Sequence, residues 1–226
     1  MVAIATCLPT AMPGSGHAAR GTTPDARRYL TLMAMTILAT TGTFAAFTYV
    51  TPFLTEVSGF PAAATGPLLL VRGVAGIVGV AIGGALVARS PWAAMLIPVT
   101  AQATALLGLY ALGGTPVAAV GLLALSGLSF AALTTALASR VLQVAPGNAD
   151  LAAAGASTAV NVGITAGAFI GGILLSGLGV RGTALVGGLL SLAALGVVLS
   201  EPLVAATGRM RVPIALVSWR AVLAGG

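Results

Sequence analysis

Apolar runs fill most of this chain, and its polar positions gather in short breaks between them. A helix needs about 20 residues to cross the hydrocarbon core of a bilayer. Six runs reach that length: Tyr29–Leu54, Thr65–Ala88, Trp92–Leu112, Pro116–Val144, Leu151–Leu178 and Gly182–Leu203. The breaks carry turn chemistry, with Ser58-Gly59-Phe60-Pro61, Ser90-Pro91, Gly113-Gly114, Pro146-Gly147-Asn148 and Gly179 to Gly182. The pattern predicts an all-α membrane protein with a transmembrane domain over residues 29–203. Residues 1–28 read as the last turns of a preceding helix, Met1 to Cys7, followed by a cytoplasmic linker. Residues 204–226 read as a cytoplasmic tail, whose apolar stretch from Val212 to Ala224 is too short to span.

Composition supports lipid as the solvent. The 226 residues are 58% hydrophobic and 6% charged, against roughly 25% charged in a soluble domain. The 31 glycines agree, because Gly is more frequent in membrane-spanning helices. A formal charge of +6 does not indicate nucleic acid. All ten basic residues are arginines, most of them single at the ends of apolar runs rather than clustered on one stripe.

Their placement instead sets a direction. With the first span entering from the cytoplasm, Arg20, Arg27, Arg28, Arg89, Arg140, Arg209, Arg211 and Arg220 are cytoplasmic, and Arg181 is external. This bias follows the positive-inside rule. It places both termini in the cytoplasm of a multi-pass protein in the cell membrane. Cys7 and His17 are the single cysteine and histidine, so neither a disulfide nor a metal site is expected. No cofactor and no catalytic constellation can be assembled either, and an enzyme is not expected.

The chemistry inside the spans is polar but barely charged. The first span is dense in Thr and aromatic residues. Thr36, Thr40, Phe44, Phe47 and Thr51 share one broad face, with Thr43 beside them, as in a mixed apolar and hydrogen-bonding pocket wall. The fourth adds Ser126, Ser129, Phe130 and Thr134. Each hydroxyl has a plain alternative, a bond back to its own helix. Ser157, Asn161 and Thr165 form a polar row on the fifth span, for which an interhelical hydrogen bond competes with a ligand contact. Arg72 sits about seven residues inside the second span, about 10 Å deep. A charge there marks a functional site by default, with snorkelling as the alternative. No Asp, Glu or His lies deep within a run: Glu56 stands at an external end, and Asp150 and Glu201 at internal ends. Small residues recur on two spans, as Gly155, Ala159, Gly163, Gly167 and Gly171, and as Gly73, Gly76, Gly79 and Gly83. Such faces let helices pack closely in lipid, and they suit static joints and sliding ones alike.

Three stretches resemble a known family. Thr43 to Phe60, TFAAFTYVTPFLTEVSGF, is similar to the start of the C-terminal half of major facilitator superfamily (MFS) transporters, nearest the bacterial sugar-efflux and multidrug–proton antiporter branch. Gly83 to Arg89, GGALVAR, resembles that superfamily's GGxLaDR loop, with Ala88 where the acid stands. Asn161 to Gly172, NVGITAGAFIGG, is similar to its eleventh helix. The resemblance implies helices seven to twelve of a twelve-helix protein, built as two inverted three-helix repeats. The first and fourth spans would line a central cavity, the second and fifth would pack against the other half through their glycine faces, and the third and sixth would be peripheral. Gln102 and Tyr110, on the third, would then not touch a ligand.

The expected function is therefore half of a secondary transporter exporting a small molecule, drug or sugar, by alternating access. Thr40, Thr43, Phe44, Phe47, Arg72, Ser126, Ser129 and Asn161 are its candidate binding residues. Its partners would be lipid, the small-molecule substrate, and either the absent N-terminal half or a second copy. The alternatives are a degenerate, non-transporting membrane module and a six-helix homodimeric channel.

Overall fold

The computed structural model describes residues 24–146 and 148–209, with side chains described as far as Ser200. The expectations for Cys7, His17 and the apolar tail from Val212 lie outside the described residues. Six long helices follow one another: α1 Ala26–Phe47, α2 Thr65–Arg89, α3 Ala93–Leu112, α4 Pro116–Val144, α5 Ala149–Gly177 and α6 Gly179–Arg209. Each is long and apolar enough to cross a membrane.

Local chemistry sets their ends. The Asp25 side chain caps α1 by accepting from the backbone N–H of Arg27 and Arg28 at 3.0 and 3.2 Å. Asn148 caps α5 by accepting from Asp150 N–H at 2.8 Å. Both satisfy donors that a helix start leaves open. Pro116 begins α4, where its missing N–H costs nothing.

Two boundaries depart from the sequence expectation. The run Tyr29–Leu54 is not one helix. Pro52 lacks an N–H and its ring crowds the carbonyl four residues back, that of Thr48. So α1 stops at Phe47, and the chain continues through a short turn, Val50–Pro52, into a π-helical turn, Phe53–Val57. The π turn is closed by Ser58 N–H donating to Phe53 C=O at 3.2 Å. At the other departure, the break expected over Gly179 to Gly182 falls instead at Leu178, and Gly179, with φ of 68°, reverses the chain at a residue without Cβ. Helix α6 therefore starts three residues early, and it continues to Arg209, into the segment expected as tail.

The packing has a two-fold logic. α2 lies on α4 and α5 on α1, while α1 and α3 both pack on α6 and α3 also packs on α4. Exchanging α1, α2 and α3 for α4, α5 and α6 maps these pairs onto one another. Because each repeat has an odd number of helices, the second enters from the opposite side, which gives two inverted repeats. Four helices form the centre and two flank it: 11% of the apolar window of α2 and 22% of that of α5 is buried, against 50% for α1.

The glycine faces correct an expectation. They do not turn outward toward another half. Ala159, Gly163, Gly167 and Gly171 are the buried face of α5, pressed on α1. A Cβ on Gly167 would lie 2.6 Å from Thr41 O, and one on Gly171 2.6 Å from Ala45 O. On α2, Gly79 and Gly83 meet the α4 backbone at Leu128 and Ala132 in the same way, whereas Gly73 faces open space. The outward faces carry large apolar residues instead, among them Leu70, Ile77, Phe169 and Ile173. The stripes are joints within this bundle, where close backbone approach replaces the hydrophobic drive that lipid removes.

Candidate functional site

Two of the cavities lie along α1 and α4, toward opposite ends of the bundle. The narrow one lies where α1 and α3 end and α2, α4 and α6 begin. It is lined by Thr43, Phe47, Arg72 and Ser126, and walled by apolar residues including Phe53, Leu54, Leu106, Leu109 and Leu123. Its volume of about 20 Å³ accommodates about one water molecule. The wide one, about 240 Å³, lies between α1, α4 and α5 near the opposite end, with Thr36, Thr134 and Ser157 among apolar residues. Arg27, Arg28, Arg89 and Arg140 belong to the wide-cavity end, and Arg181 to the other.

Four of the eight candidate residues therefore share one cavity. Arg72 is fixed there by stacking: its guanidinium carbon lies 3.8 Å from the Phe47 ring centroid, a cation–π contact. Its Nε is buried and donates to no acceptor among the described residues. Phe44 meets Phe47 edge to face at 6.0 Å and Phe130 at 5.8 Å between centroids. This aromatic row joins α1 to α4. On α4, Phe130 stands between Ser126 of the narrow cavity and Thr134 of the wide one.

Behind the cavity lies a closed polar network. Gln102 of α3 is fully buried; its Nε2 donates to Thr43 Oγ1 at 2.6 Å, and its Oε1 accepts from Ser129 Oγ at 2.8 Å. Thr43 in turn donates to Ala39 C=O at 2.8 Å. The demotion of Gln102 as a ligand residue agrees with this geometry, but a peripheral position does not. Its carboxamide reaches inward and ties α1, α3 and α4 together. It also occupies the Ser129 hydroxyl, which is set behind the cavity and not on its lining.

The remaining candidates lie elsewhere. Thr40 is buried in the α1–α5 joint, where a Cβ on Gly163 would come within 2.7 Å of its own Cβ. The broad Thr/aromatic face of the first span thus divides: Thr36 lines the wide cavity, Thr40 packs on α5, and Thr51 is exposed. Asn161 is exposed on α5, and among the described residues only its backbone is engaged, accepting from Thr165 Oγ1 at 3.0 Å. The sequence reading also left two tyrosines unassigned. Tyr29 donates to Ala152 C=O at 3.1 Å and Tyr49 to Ala168 C=O at 3.0 Å, fastening α5 to α1 near both ends. Their signal was present: each phenol stands close to an end of the first span, where an amphipathic ring has a polar group within reach.

The comparisons with known proteins agree with this architecture. No family model matches the chain. It is 36% identical over 170 residues to an uncharacterized MFS-type transporter of Bacillus subtilis, a match covering 72% of this chain and 42% of that protein. It is 33% and 34% identical, each over 161 residues, to probable sugar efflux transporters of Mannheimia succiniciproducens and Helicobacter pylori, covering 71% of this chain and 41% of each relative. The chain thus spans about two fifths of the length of these relatives.

Proposed function

We propose that this chain, a homologue of MFS-type transporters with the architecture of one half of their fold, forms one wall of a small-molecule efflux pathway. The observation that carries the reading is the pair of cavities on the α1–α4 wall, one narrow at about 20 Å³ and one wide at about 240 Å³. Alternating access needs a wall that can be narrow toward one side of the membrane while wide toward the other. The arginine bias assigns the wide-cavity end, and both termini, to the cytoplasm. Phe44, Phe47, Phe130, Thr43 and Ser126 would offer the transported molecule aromatic faces and hydroxyls. That chemistry suits a sugar or an amphipathic drug, and the names of the relatives favour a sugar.

A space the size of one water cannot enclose a hexose, so the opposite wall comes from a complementary half. We assign this chain the C-terminal role, on its resemblance to helices seven to twelve. The partner half is supplied by a longer polypeptide, a separate chain or a second copy. Asn161, exposed on α5, would face it or the pathway.

Efflux of a radiolabelled, non-metabolised hexose analogue from preloaded bacterial cells tests the reading. Cells producing the chain together with its complementary half should lose label several-fold faster than cells producing neither. Equal rates across a panel of neutral sugars and amphipathic cations, with the protein inserted at normal levels, would remove the proposal.

A further inference from the structure

Arg72 has a setting that snorkelling does not explain. A snorkelling side chain extends its charged head to the interface, whereas this guanidinium carbon lies over the Phe47 ring, 3.8 Å from its centroid, on the lining of the narrow cavity. Its root is fixed as well. The Arg72 backbone carbonyl passes so close to Gly127 that a Cβ there would clash with it, and α2 is held against α4 at that level. The contact with Phe47 is made at the guanidinium carbon, and the buried Nε has no acceptor among the described residues.

Arg72 is half-buried, and a cation drawn partly out of water gains from a counter-charge. The described acids do not provide one: Asp25 and Asp150 start α1 and α5 at the other end, and Glu56 is exposed. We propose that Arg72 is a carboxylate receptor, whose Nε–H and one Nη–H take the two oxygens of a single carboxylate in the paired geometry that guanidinium favours. The size of the cavity restricts what enters to the charged group itself, and the rest of an anionic solute, such as a sugar acid, would lie along the aromatic row. The carboxylate belongs either to the transported molecule or to an acidic side chain of the complementary half. Only the first source rests on the transport reading above.

The test uses the full chain, labelled with ¹⁵N-arginine, together with its unlabelled complementary half in lipid nanodiscs. The Arg72 Nε–H resonance is identified by its loss in Arg72→Lys, or by its displacement in Phe47→Leu if the first variant does not fold. Gluconate, acetate and glucose are then titrated. A saturable downfield shift with gluconate and acetate but not glucose, with affinity for gluconate about tenfold weaker in Phe47→Leu, supports a solute carboxylate. A resonance already in the paired position and unmoved by all three supports a protein carboxylate. A resonance that is unpaired at the outset and unmoved by gluconate and acetate overturns the receptor. The outcome is separable from that of the efflux assay. A chain that binds gluconate at Arg72 but exports nothing keeps the receptor and loses transport, and the converse keeps transport and loses the receptor.

Discussion

Gln102 and Asn161 are both carboxamides deep in apolar helices, and they lead opposite lives. Gln102 lies at the junction of α1, α3 and α4, fully buried, donating to Thr43 and accepting from Ser129. Asn161 stands on the outward side of α5, exposed, its side chain engaged with no described residue. Burying an unpartnered amide in an apolar medium costs at least about 1–3 kcal/mol. The junction avoids that cost by closing a network. The α5 face avoids it if a cavity or a second half covers Asn161 in place of lipid tails. The same functional group therefore marks an internal fastening in one region and an unfinished surface in the other.

Substitutions can break or sharpen this contrast. The largest effect is expected on the opposite side of α5 from its unfinished face. Gly167→Leu would drive a side chain into the α1 backbone, since even its Cβ would lie 2.6 Å from Thr41 O. A loss of about 3 kcal/mol is expected for such overpacking, read as a lower melting temperature in detergent; Gly73→Leu, facing open space, should melt as the native chain does. Next comes Gln102→Ala, which removes two buried interhelical hydrogen bonds of about 1 kcal/mol each and should cost about 2 kcal/mol in the same measurement. If it melts like the native chain, the junction is not a fastening. Tyr49→Phe removes one interhelical bond and should cost about 0.6 kcal/mol. The smallest stability change belongs to Asn161→Ala, within about 0.5 kcal/mol. This variant should nevertheless lower hexose-analogue efflux several-fold, and full activity would return Asn161 to the passive surface.

The span pattern was legible because each helix must present about 20 apolar residues to lipid, a constraint written in composition. The Pro116 start of α4 came from the same local rule. What stayed hidden depended on which neighbour each face meets. Gly163 and Gly167 announce a close approach but not its partner, so their face was assigned to another half when α1 is what they touch. Thr40 and Phe44 lie four residues apart and both pack on the α5 glycine face, at Gly163 and Gly167, yet only Phe44 reaches on to Phe130 with its ring. Gln102 was discounted from the peripheral order of its helix, although a lone amide in an apolar run has to find partners inward. The kink at Thr48 was readable from Pro52 by the i−4 clash; a continuous apolar run masked it.

The central claim is that the α1–α4 wall opens alternately toward the two sides of the membrane, and side-specific thiol labelling addresses it most directly. In a Cys7→Ser background, Ser157→Cys reports the wide cavity and Ser126→Cys the narrow one. With the complementary half present, a membrane-impermeant maleimide should modify Ser157→Cys from the arginine-rich side only and leave Ser126→Cys protected. Adding a transported solute should protect the first and expose the second from the opposite side. Labelling of both positions from one side, or an unreactive Ser126→Cys under every solute condition, would contradict alternating access along this wall.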